Sequence, residues 1–214
     1  MLLVQAVECC RVSEMNFSRI YTTHSFSLRE HPMQITFFTE QDRPVLSQWF
    51  TSQADVTQWA GPDVAWPLEE AFLATLLDSA SQKPASLLTF AGRHEGELAA
   101  VAQVGFDWNN HLACLCRVAV NPAMRGQNLA ESMLRQLIPT VFQQEAIERI
   151  ELRVYTFNQA AIRTYEKLGF VREGVQRQGV VVGEERWDCA LYGMLRQEYQ
   201  QPAAPCITAV THGA

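Results

Sequence analysis

Residues 119–130 of this chain run Ala-Val-Asn-Pro-Ala-Met-Arg-Gly-Gln-Asn-Leu-Ala, and they join a predicted strand to a predicted helix. The apolar run before them, Leu112–Val120, predicts a strand that ends at an Asn-Pro turn signal. After them, a helix that begins near Gln127 is predicted by apolar residues at helical spacing, namely Leu129, Met133, Leu134, Leu137, Ile138 and Val141. The amide N–H groups at such a helix start lack intrahelical partners, so they can bind an anion such as a phosphate, and Arg125 could add a side-chain contact. On local evidence the stretch is either an anion site or an ordinary strand-to-helix turn.

The composition describes a globular and mildly acidic protein. The 214 residues suit one domain with appendages, and a hydrophobic content of 48% is enough to bury a substantial core. A formal net charge of −6 argues against a nucleic-acid partner, because a nucleic-acid binder should show a basic patch. The acidity can help to collect cationic substrates such as amines, or serve solubility alone, and solubility is the simpler interpretation.

The six cysteines do not form a disulfide framework, since they lie as two close pairs and two isolated residues: Cys9 with Cys10, Cys114 with Cys116, then Cys189 and Cys206. Neither they nor the five histidines show metal-ligand spacing, so we predict reduced thiols, no bound metal and a cytoplasmic protein. The sequence has no apolar run long enough to span a bilayer, and no signal-peptide pattern at its start. We therefore predict no membrane partner and no secretory signal.

Ahead of the opening stretch, the pattern predicts a strand, two helices and a strand hairpin. The first strand covers 35–39, and a helix from Gln41 carries Val45, Leu46, Trp49 and Phe50 on one face. An aromatic, turn-rich passage with Trp59 and Trp66 follows, and it either joins the core or forms one wall of a substrate cleft. Pro67 is predicted to open the second helix, because proline is tolerated at the first helical position. Strands over 86–93 and 97–106 then form a hairpin that turns at residues 94–96.

Beyond that stretch, the helix is predicted to kink or end early at Pro139. Because a crossover helix separates them, the strand Arg149–Tyr155 should run parallel to Leu112–Val120. A helix capped by Asn158 and ended by Gly169 follows, and then a long hairpin over 170–182 and 184–197.

The chain is predicted to form one domain over residues 33–199. Residues 1–32 show no sustained period and are predicted to be an N-terminal extension outside the core, with an ordered arm as the alternative. Residues 200–214, which are rich in Pro, Ala and Thr, are predicted to be a disordered tail.

Residues 158–170 run Asn-Gln-Ala-Ala-Ile-Arg-Thr-Tyr-Glu-Lys-Leu-Gly-Phe. This N-x-x-A-x-x-x-Y-x-x-x-G-F spacing, together with V-x-P-x-x-R-G upstream, resembles the GCN5-related N-acetyltransferase (GNAT) superfamily. Residues 173–174 and 187–195 look most like the branch of ribosomal-protein alanine and spermidine acetyltransferases. The resemblance covers residues 34–198. It implies an α+β fold of three α/β layers: a mixed, mostly antiparallel central sheet, helices on both faces and a splayed parallel strand pair at the centre.

The resemblance also implies that acetyl-CoA is the co-substrate and lies between the splayed strands. Its pantetheine arm would pair with the main chain of Arg117, Val118, Ala119 and Val120, and Asn158 would bond the arm across the groove. Its pyrophosphate would lie in the loop formed by Arg125, Gly126, Gln127, Asn128, Leu129 and Ala130. Tyr165 would protonate the departing thiolate as general acid, since a phenol with a pKa near 10 is protonated at neutral pH. From the residues alone, Tyr165 could equally be a core tyrosine and Asn158 a plain N-cap.

Two positions depart from the family pattern. Asn128 stands where relatives have a glycine, and its side chain crowds a phosphate unless the backbone keeps an ordinary helical conformation, which asparagine can adopt. We expect CoA binding to survive this change, with unchanged or lower affinity. The strand Leu112–Val120 holds no acid, although many relatives carry a glutamate there. Glu151, Asp107 and a backbone carbonyl are alternative acceptors that the amine proton would reach through water, and the sequence does not choose among them.

The function that the resemblance implies is acetyl-CoA-dependent N-acetylation of a primary amine, by direct attack on the thioester. An acyl-enzyme route is disfavoured, because no serine or cysteine stands in a recognisable nucleophile setting. The amine could belong to a small molecule, a polyamine, an amino-sugar antibiotic or a protein N-terminus. The alternative is a CoA-binding sensor or assembly module without turnover. A monomer and a homodimer both stay open.

Overall fold

The computed structural model describes residues 33–78 and 84–199. Its described part contains a seven-stranded sheet with the order β1-β2-β3-β4-β5-β7-β6. The strands are β1 Gln34–Phe37, β2 Leu87–His94, β3 Glu97–Asp107, β4 Leu112–Val120, β5 Arg149–Tyr155, β6 Val171–Val182 and β7 Glu185–Leu195. Only the β4–β5 pair is parallel among these neighbours, so the predicted mixed, mostly antiparallel sheet is confirmed. The predictions for residues 1–32 and 200–214 lie outside the described residues.

Helices cover both faces of the sheet. Helices α1 Arg43–Ser47, α2 Gln53–Ala60 and α3 Glu70–Asp78 share one core cluster with the β2–β3 hairpin, and this cluster includes Leu46, Trp59, Leu76 and Val101. Helices α4 Leu129–Phe142 and α5 Gln159–Lys167 line the other face, where Met133 and Ile162 pack in one cluster with Leu115 and Leu152. We call these the α2 face and the α4 face.

The parallel pair separates halfway along its length. Backbone pairing between β4 and β5 begins at Leu112 opposite Arg149 and stops at Leu115 opposite Leu152. Beyond this point β5 continues to pair with β7, while β4 continues to pair with β3. The two strands therefore diverge towards their carboxyl ends, as the resemblance implied.

A β-bulge lies in β4 where the separation begins. Val101 and Gln103 of β3 stand opposite Ala119 and Cys116, so two residues of β4 face one residue of β3. Arg117 is in the bulge and has a φ of 47°, a left-handed conformation that is uncommon for a non-glycine residue.

The helices on the α2 face differ from the prediction. The passage 53–60 is helix α2 and not a turn-rich loop: Ser52 caps it by accepting a hydrogen bond from the Asp55 amide, and Asp55 accepts one from the Thr51 hydroxyl. The preceding helix ends at Ser47. It contains Val45 and Leu46 of the predicted apolar face but not Trp49 and Phe50.

The start of α3 was also predicted wrongly. Pro67 does not open the helix, which begins at Glu70, and the Trp66–Pro67 peptide bond is cis. The Trp66 amide donates to the Gln53 side chain and its indole N–H donates to the Phe50 carbonyl, so this segment is held as a loop.

Helix α4 runs through Pro139 and ends at Phe142, so of the two alternatives predicted there the early end is wrong and the kink stays a prediction. Proline removes only its own N–H bond, and the buried face of the last turn, with Val141 and Phe142, still packs in the core.

The β2–β3 turn is as predicted, with Glu95 and Gly96 at positive φ.

Candidate active site

A cavity of about 1110 Å³ lies where β4 and β5 separate. Its lining includes Trp59 from α2, Leu134 from α4 and Tyr165 from α5, so it is bordered from both faces of the sheet. The cavity brings together the four features predicted from the sequence: the outer half of β4, the loop before α4, Asn158 and Tyr165.

The loop before α4 curls because two of its residues adopt positive φ, 84° at Gly126 and 56° at Asn128. Asn128 is the N-cap of α4, but its side chain makes no capping hydrogen bond. The first-turn N–H groups of a 14-residue helix therefore stay available for an anion. A Cβ added to Gly126 would meet no atom within 4 Å, so the space beside this residue is open.

Asn128 corrects one expectation. It is left-handed and not helical, and asparagine tolerates this conformation better than other non-glycine residues because its short amide can bond locally. Arg125, Gly126, Asn128, Leu129 and Ala130 line the cavity, whereas the exposed Gln127 is not part of the lining.

On β4, the residues Arg117, Val118, Ala119 and Val120 all line the cavity. The main chain of this half has no strand on its β5 side. One of its groups is already in use, because the Trp59 indole N–H donates to the Arg117 carbonyl over 2.7 Å. The Arg117 carbonyl is therefore not open to a ligand. The main-chain groups that a ligand can bind are those of Val118, Ala119 and Val120.

Asn158 lies across the cavity at the start of α5. Its side-chain oxygen accepts a hydrogen bond of 3.2 Å from the Ala161 amide, so it is an N-cap. Its side-chain amide nitrogen can still donate to a ligand, because the cap uses only the oxygen. Both interpretations of Asn158 are compatible with this geometry.

Tyr165 of α5 is 8% exposed and lines the cavity. Burial raises the pKa of its phenol well above the usual value, and the nearby Cys116 raises it further. The phenol is consequently protonated over the whole physiological range, as a proton donor must be.

The Acetyltransferase (GNAT) family model matches residues 48–170, more than half of the chain. This protein belongs to the GNAT acetyltransferase family. Its match to the N-acetyltransferase YokL of Bacillus subtilis is 32% identical over 83 residues and covers 39% of this chain. The chain spans about half of that relative, 47% of its length.

Two more GNAT comparisons extend over most of the domain. Aminoglycoside N(6')-acetyltransferase type 1 of Klebsiella pneumoniae is 24% identical over 151 residues, which cover 65% of this chain and 74% of the relative. The crystal structure of the Vibrio cholerae spermidine N-acetyltransferase, in complex with CoA and spermine, superposes with a TM-score of 0.68. That match covers 79% of this chain and 98% of the other, and at 16% identity it shows the fold alone.

The two carboxylates considered from the sequence as proton acceptors do not line this GNAT cavity. Asp107 bonds Asn110 in the turn between β3 and β4, at the end of the sheet remote from the separation. Glu151 stands opposite Cys114, where the strands are still paired, and forms an ion pair with Arg149. Neither side chain lines the cavity, so neither is placed to receive the amine proton directly.

Of the two tryptophans considered as a cleft wall, only Trp59 lines the cavity. Its ring stacks on Phe50 with 4.6 Å between centroids and meets Phe72 edge-on. Trp66 is 46% exposed and lies outside the lining, so the prediction was wrong for this residue.

Sequence reasoning missed several residues on the α2 face of the cavity. They are Asp55 and Thr57 of α2, Cys114 and Cys116 of β4, Arg153 and Tyr155 of β5, and Cys189 of β7. Strand alternation could have found Arg153, because its neighbours Leu152 and Val154 are both buried on the α4 face. The α2 residues carried no such signal, since the helix itself was not recognised.

The charge of the cavity is opposite to that of the whole GNAT chain. Although the net charge of the chain is −6, five cationic side chains and two acidic ones line the cavity: Arg117, Arg125, Arg153, Arg163 and Lys167 against Asp55 and Glu131. Glu131 is paired with Lys167 at 2.6 Å and Arg135 at 2.8 Å, which leaves the local surplus positive. An anionic ligand is therefore attracted here.

Proposed function

We propose that this protein is an acetyl-CoA-dependent N-acetyltransferase that acts on a primary amine. The observation that carries the proposal is the cavity between β4 and β5, which joins an uncapped helix N-terminus, an unpaired strand edge and a buried tyrosine. Family membership supports it, and so do the printed names of the relatives, which are N-acetyltransferases.

The residues present fit acetyl-CoA as the co-substrate. The first-turn N–H groups of α4 and the open space beside Gly126 suit a pyrophosphate. Arg125, Arg163 and Lys167 line the same side and supply positive charge for the phosphates. The unpaired edge of β4 after Arg117 would bond the amide-bearing pantetheine arm, and the Asn158 side-chain amide would donate from the other wall.

The reaction follows from this placement. The neutral amine attacks the thioester carbonyl carbon, a C–N bond forms and the C–S bond breaks. Backbone N–H groups of the separated β4 polarise the carbonyl, and Tyr165 gives its proton to the departing thiolate. The amine loses its proton to water in the cavity, and Tyr165 regains one from solvent. Holding amine and thioester together removes much of the entropic barrier.

A CoA-binding sensor without turnover is the second candidate. One observation favours it: in the described part of the chain, Asp55 is the only acid that lines the α2 face of the cavity, and it already accepts hydrogen bonds from Thr51. These bonds, the Thr51 hydroxyl above all, lower the pKa of Asp55, which makes it a poor base. Water would then have to receive the amine proton.

Thiol release separates the two candidates. Purified protein is mixed with acetyl-CoA and a panel of primary amines, and free CoA is measured with a thiol reagent while the acetylated amine is identified by mass spectrometry. We expect at least one amine to yield both products in equal amounts. If acetyl-CoA raises the melting temperature but no amine gives free CoA above the rate without amine, the sensor is the function.

A further inference from the structure

Arg117 carries a charge that no carboxylate of the described residues neutralises. The bulge directs its side chain to the α2 face, where Nη1 donates to Gln103 Oε1 over 2.6 Å and the guanidinium carbon lies 5.4 Å from the centroid of the Phe72 ring. Gln103 is fully buried and is itself fixed by a hydrogen bond to Thr89. Nε of Arg117 is buried without a hydrogen-bond partner. A guanidinium held in this way has unused donors that an anion can satisfy.

Arg153 lies on the same face of the separated strands. Its neighbours Leu152 and Val154 are buried on the α4 face, so its own side chain points to the α2 face, where it is exposed and lines the cavity. It is close enough to Cys114 and Cys189 for its charge to act on both thiols. Within residues 33–78 and 84–199 it forms no ion pair.

These two arginines are not needed for the phosphates of CoA. The proposed phosphate-binding features lie on the α4 face, in the loop before α4 and on α5, where Arg125 and Arg163 line the cavity and Lys167 is paired with Glu131. Arg117 stands on the opposite face, beside Trp59 and Phe72, and Arg153 lines the cavity from β5 on that same face. This is the side from which an acceptor amine can reach a thioester lying between the strands.

We infer that the acceptor carries an anionic group, a carboxylate or a phosphate monoester, and that Arg117 and Arg153 bind this group while the amine points to the separation of β4 and β5. The inference rests on the proposed function and specifies its substrate class. Amino acids, peptides with a nearby carboxylate and amino-sugar phosphates belong to the class. A polycation does not, because the two guanidinium groups outnumber Asp55, the one carboxylate that the described residues place on this face of the cavity, and repel it.

Acceptors that differ only in charge test the inference. The set contains ω-amino acids, ω-aminoalkyl phosphates, ω-aminoalkanamides and α,ω-diamines of equal chain length, each with acetyl-CoA. We expect kcat/KM for an anionic acceptor to exceed that of its neutral amide by about tenfold or more, since a hydrogen bond to a charged group is strong, and diamines to be the poorest. The carboxylate and phosphate arms tell which anion is preferred. Equal rates across the set, or a preference for diamines, overturn the inference and leave the proposed function standing.

Variants then locate the effect. Arg153→Gln and Arg117→Asn should abolish the preference mainly through a higher KM, and Arg153→Glu should turn it towards diamines. Asparagine is chosen at 117 because it accepts the left-handed backbone, and Arg117→Lys should keep a reduced preference. Arg172→Gln is the matched control, as Arg172 is exposed on β6 and does not line the cavity. If Arg153→Glu and Arg172→Gln behave alike, the inference is wrong.

Calorimetry with CoA-loaded protein separates a failure of the inference from a failure of the proposed function. If no amine is acetylated but an ω-amino acid binds with an affinity that Arg153→Gln lowers about tenfold and Arg172→Gln does not, the anion site stands and the enzymatic function falls. If no amine is acetylated and binding does not depend on Arg153, both fall. Melting curves of each variant confirm that it is folded.

Discussion

In the proposed phosphate site, the backbone of Asn128 sets the shape of the loop before α4, and its side chain does not cap the helix. Its φ of 56° puts it in the conformation that glycine adopts freely and that other residues adopt at a cost. Asn128→Gly should therefore keep the affinity for CoA, and its free energy of unfolding should change by less than about 1 kcal/mol, since relief of strain offsets the added freedom of the unfolded chain. Asn128→Ala should lose about 1 kcal/mol and bind CoA more weakly.

Urea denaturation and calorimetry with CoA measure these two effects. Gln127→Ala is the control, because Gln127 is exposed next to Asn128 but lies outside the cavity. An alanine variant at 128 that is as stable as the parent, with unchanged CoA affinity, would show that the left-handed conformation is unimportant.

Tyr165 is the proposed general acid. Tyr165→Phe removes the phenol O–H while keeping the ring that contacts Phe170. We expect kcat to fall by about 100-fold or more, the lower end of the effect of general acids, while the affinity for CoA stays the same. Tyr199→Phe is the control: Tyr199 stacks on Phe142 outside the cavity. Equal kcat values in the two variants would remove Tyr165 from the mechanism.

The pH profile gives an independent check on Tyr165. Burial raises its pKa in the folded protein, so the proton that it would donate in the proposed mechanism is present at low and neutral pH and is lost only above the ordinary phenol pKa of about 10. The rate should hence rise with pH as the acceptor amine loses its proton, with no decline caused by Tyr165 below about pH 10. A decline near pH 8 that Tyr165→Phe abolishes would contradict this assignment.

At the scale of elements, α4 and α5 form the two walls of the proposed phosphate site and are linked by Glu131 and Lys167. The Lys167 hydrogen bond, together with Arg135, lowers the pKa of Glu131. The stabilisation from this carboxylate is present above its unfolded pKa and is lost as the pH falls. Lys167 is 60% exposed, so the pair contributes at most about 1 kcal/mol.

Glu131→Gln should consequently cost little stability and tighten CoA binding a few-fold at low salt, because it removes a negative charge from beside the proposed phosphate site. Glu145→Gln is the control, because it makes the same change of charge at an exposed position outside the cavity. Binding titrations at two salt concentrations compare the variants. Equal effects of the two changes would mean that only net charge matters and that Glu131 is not close to the phosphates.

At the scale of the whole molecule, the cavity exists because β4 and β5 stop pairing with each other and continue to pair with different strands. β4 keeps its pairing with β3 through a bulge, and β5 keeps its pairing with β7, so the groups that face each other across the separation have no strand partner. Hydrogen exchange should thus be faster at Val118–Val120 than in β2, and acetyl-CoA should protect these amides specifically. Mass spectrometry of exchanged peptides measures this, with the β2 peptide 87–94 as internal reference. Uniform protection of both peptides would argue for global stabilisation only.

Much of this fold can be predicted from local sequence patterns. The strand Leu112–Val120, the strand Arg149–Tyr155 and the helix capped by Asn158 are predicted within a residue or two, because apolar period and capping chemistry act between near neighbours. Helix α2 was missed because its apolar residues are few and its start depends on hydrogen bonds of Ser52 and Asp55 that composition does not show. The wrong start of α3 has a related cause, since Trp66 is held by Phe50 and Gln53 from earlier in the chain.

The sequence by itself determined most of the elements and the parallel pair, and its resemblance to the GNAT family implied the separation of that pair and the residues that face it, including Tyr165 and the loop before α4. Only the tertiary structure decided which groups meet on the α2 face: that the Trp59 indole bonds the Arg117 carbonyl, that Gln103 and Phe72 hold the Arg117 side chain, and that Arg153 lines the same cavity. The physical reason is distance along the chain. Turn, cap and period signals act over a few residues, whereas the contact of Trp59 with Arg117 joins positions 58 residues apart and depends on how the sheet twists and bulges.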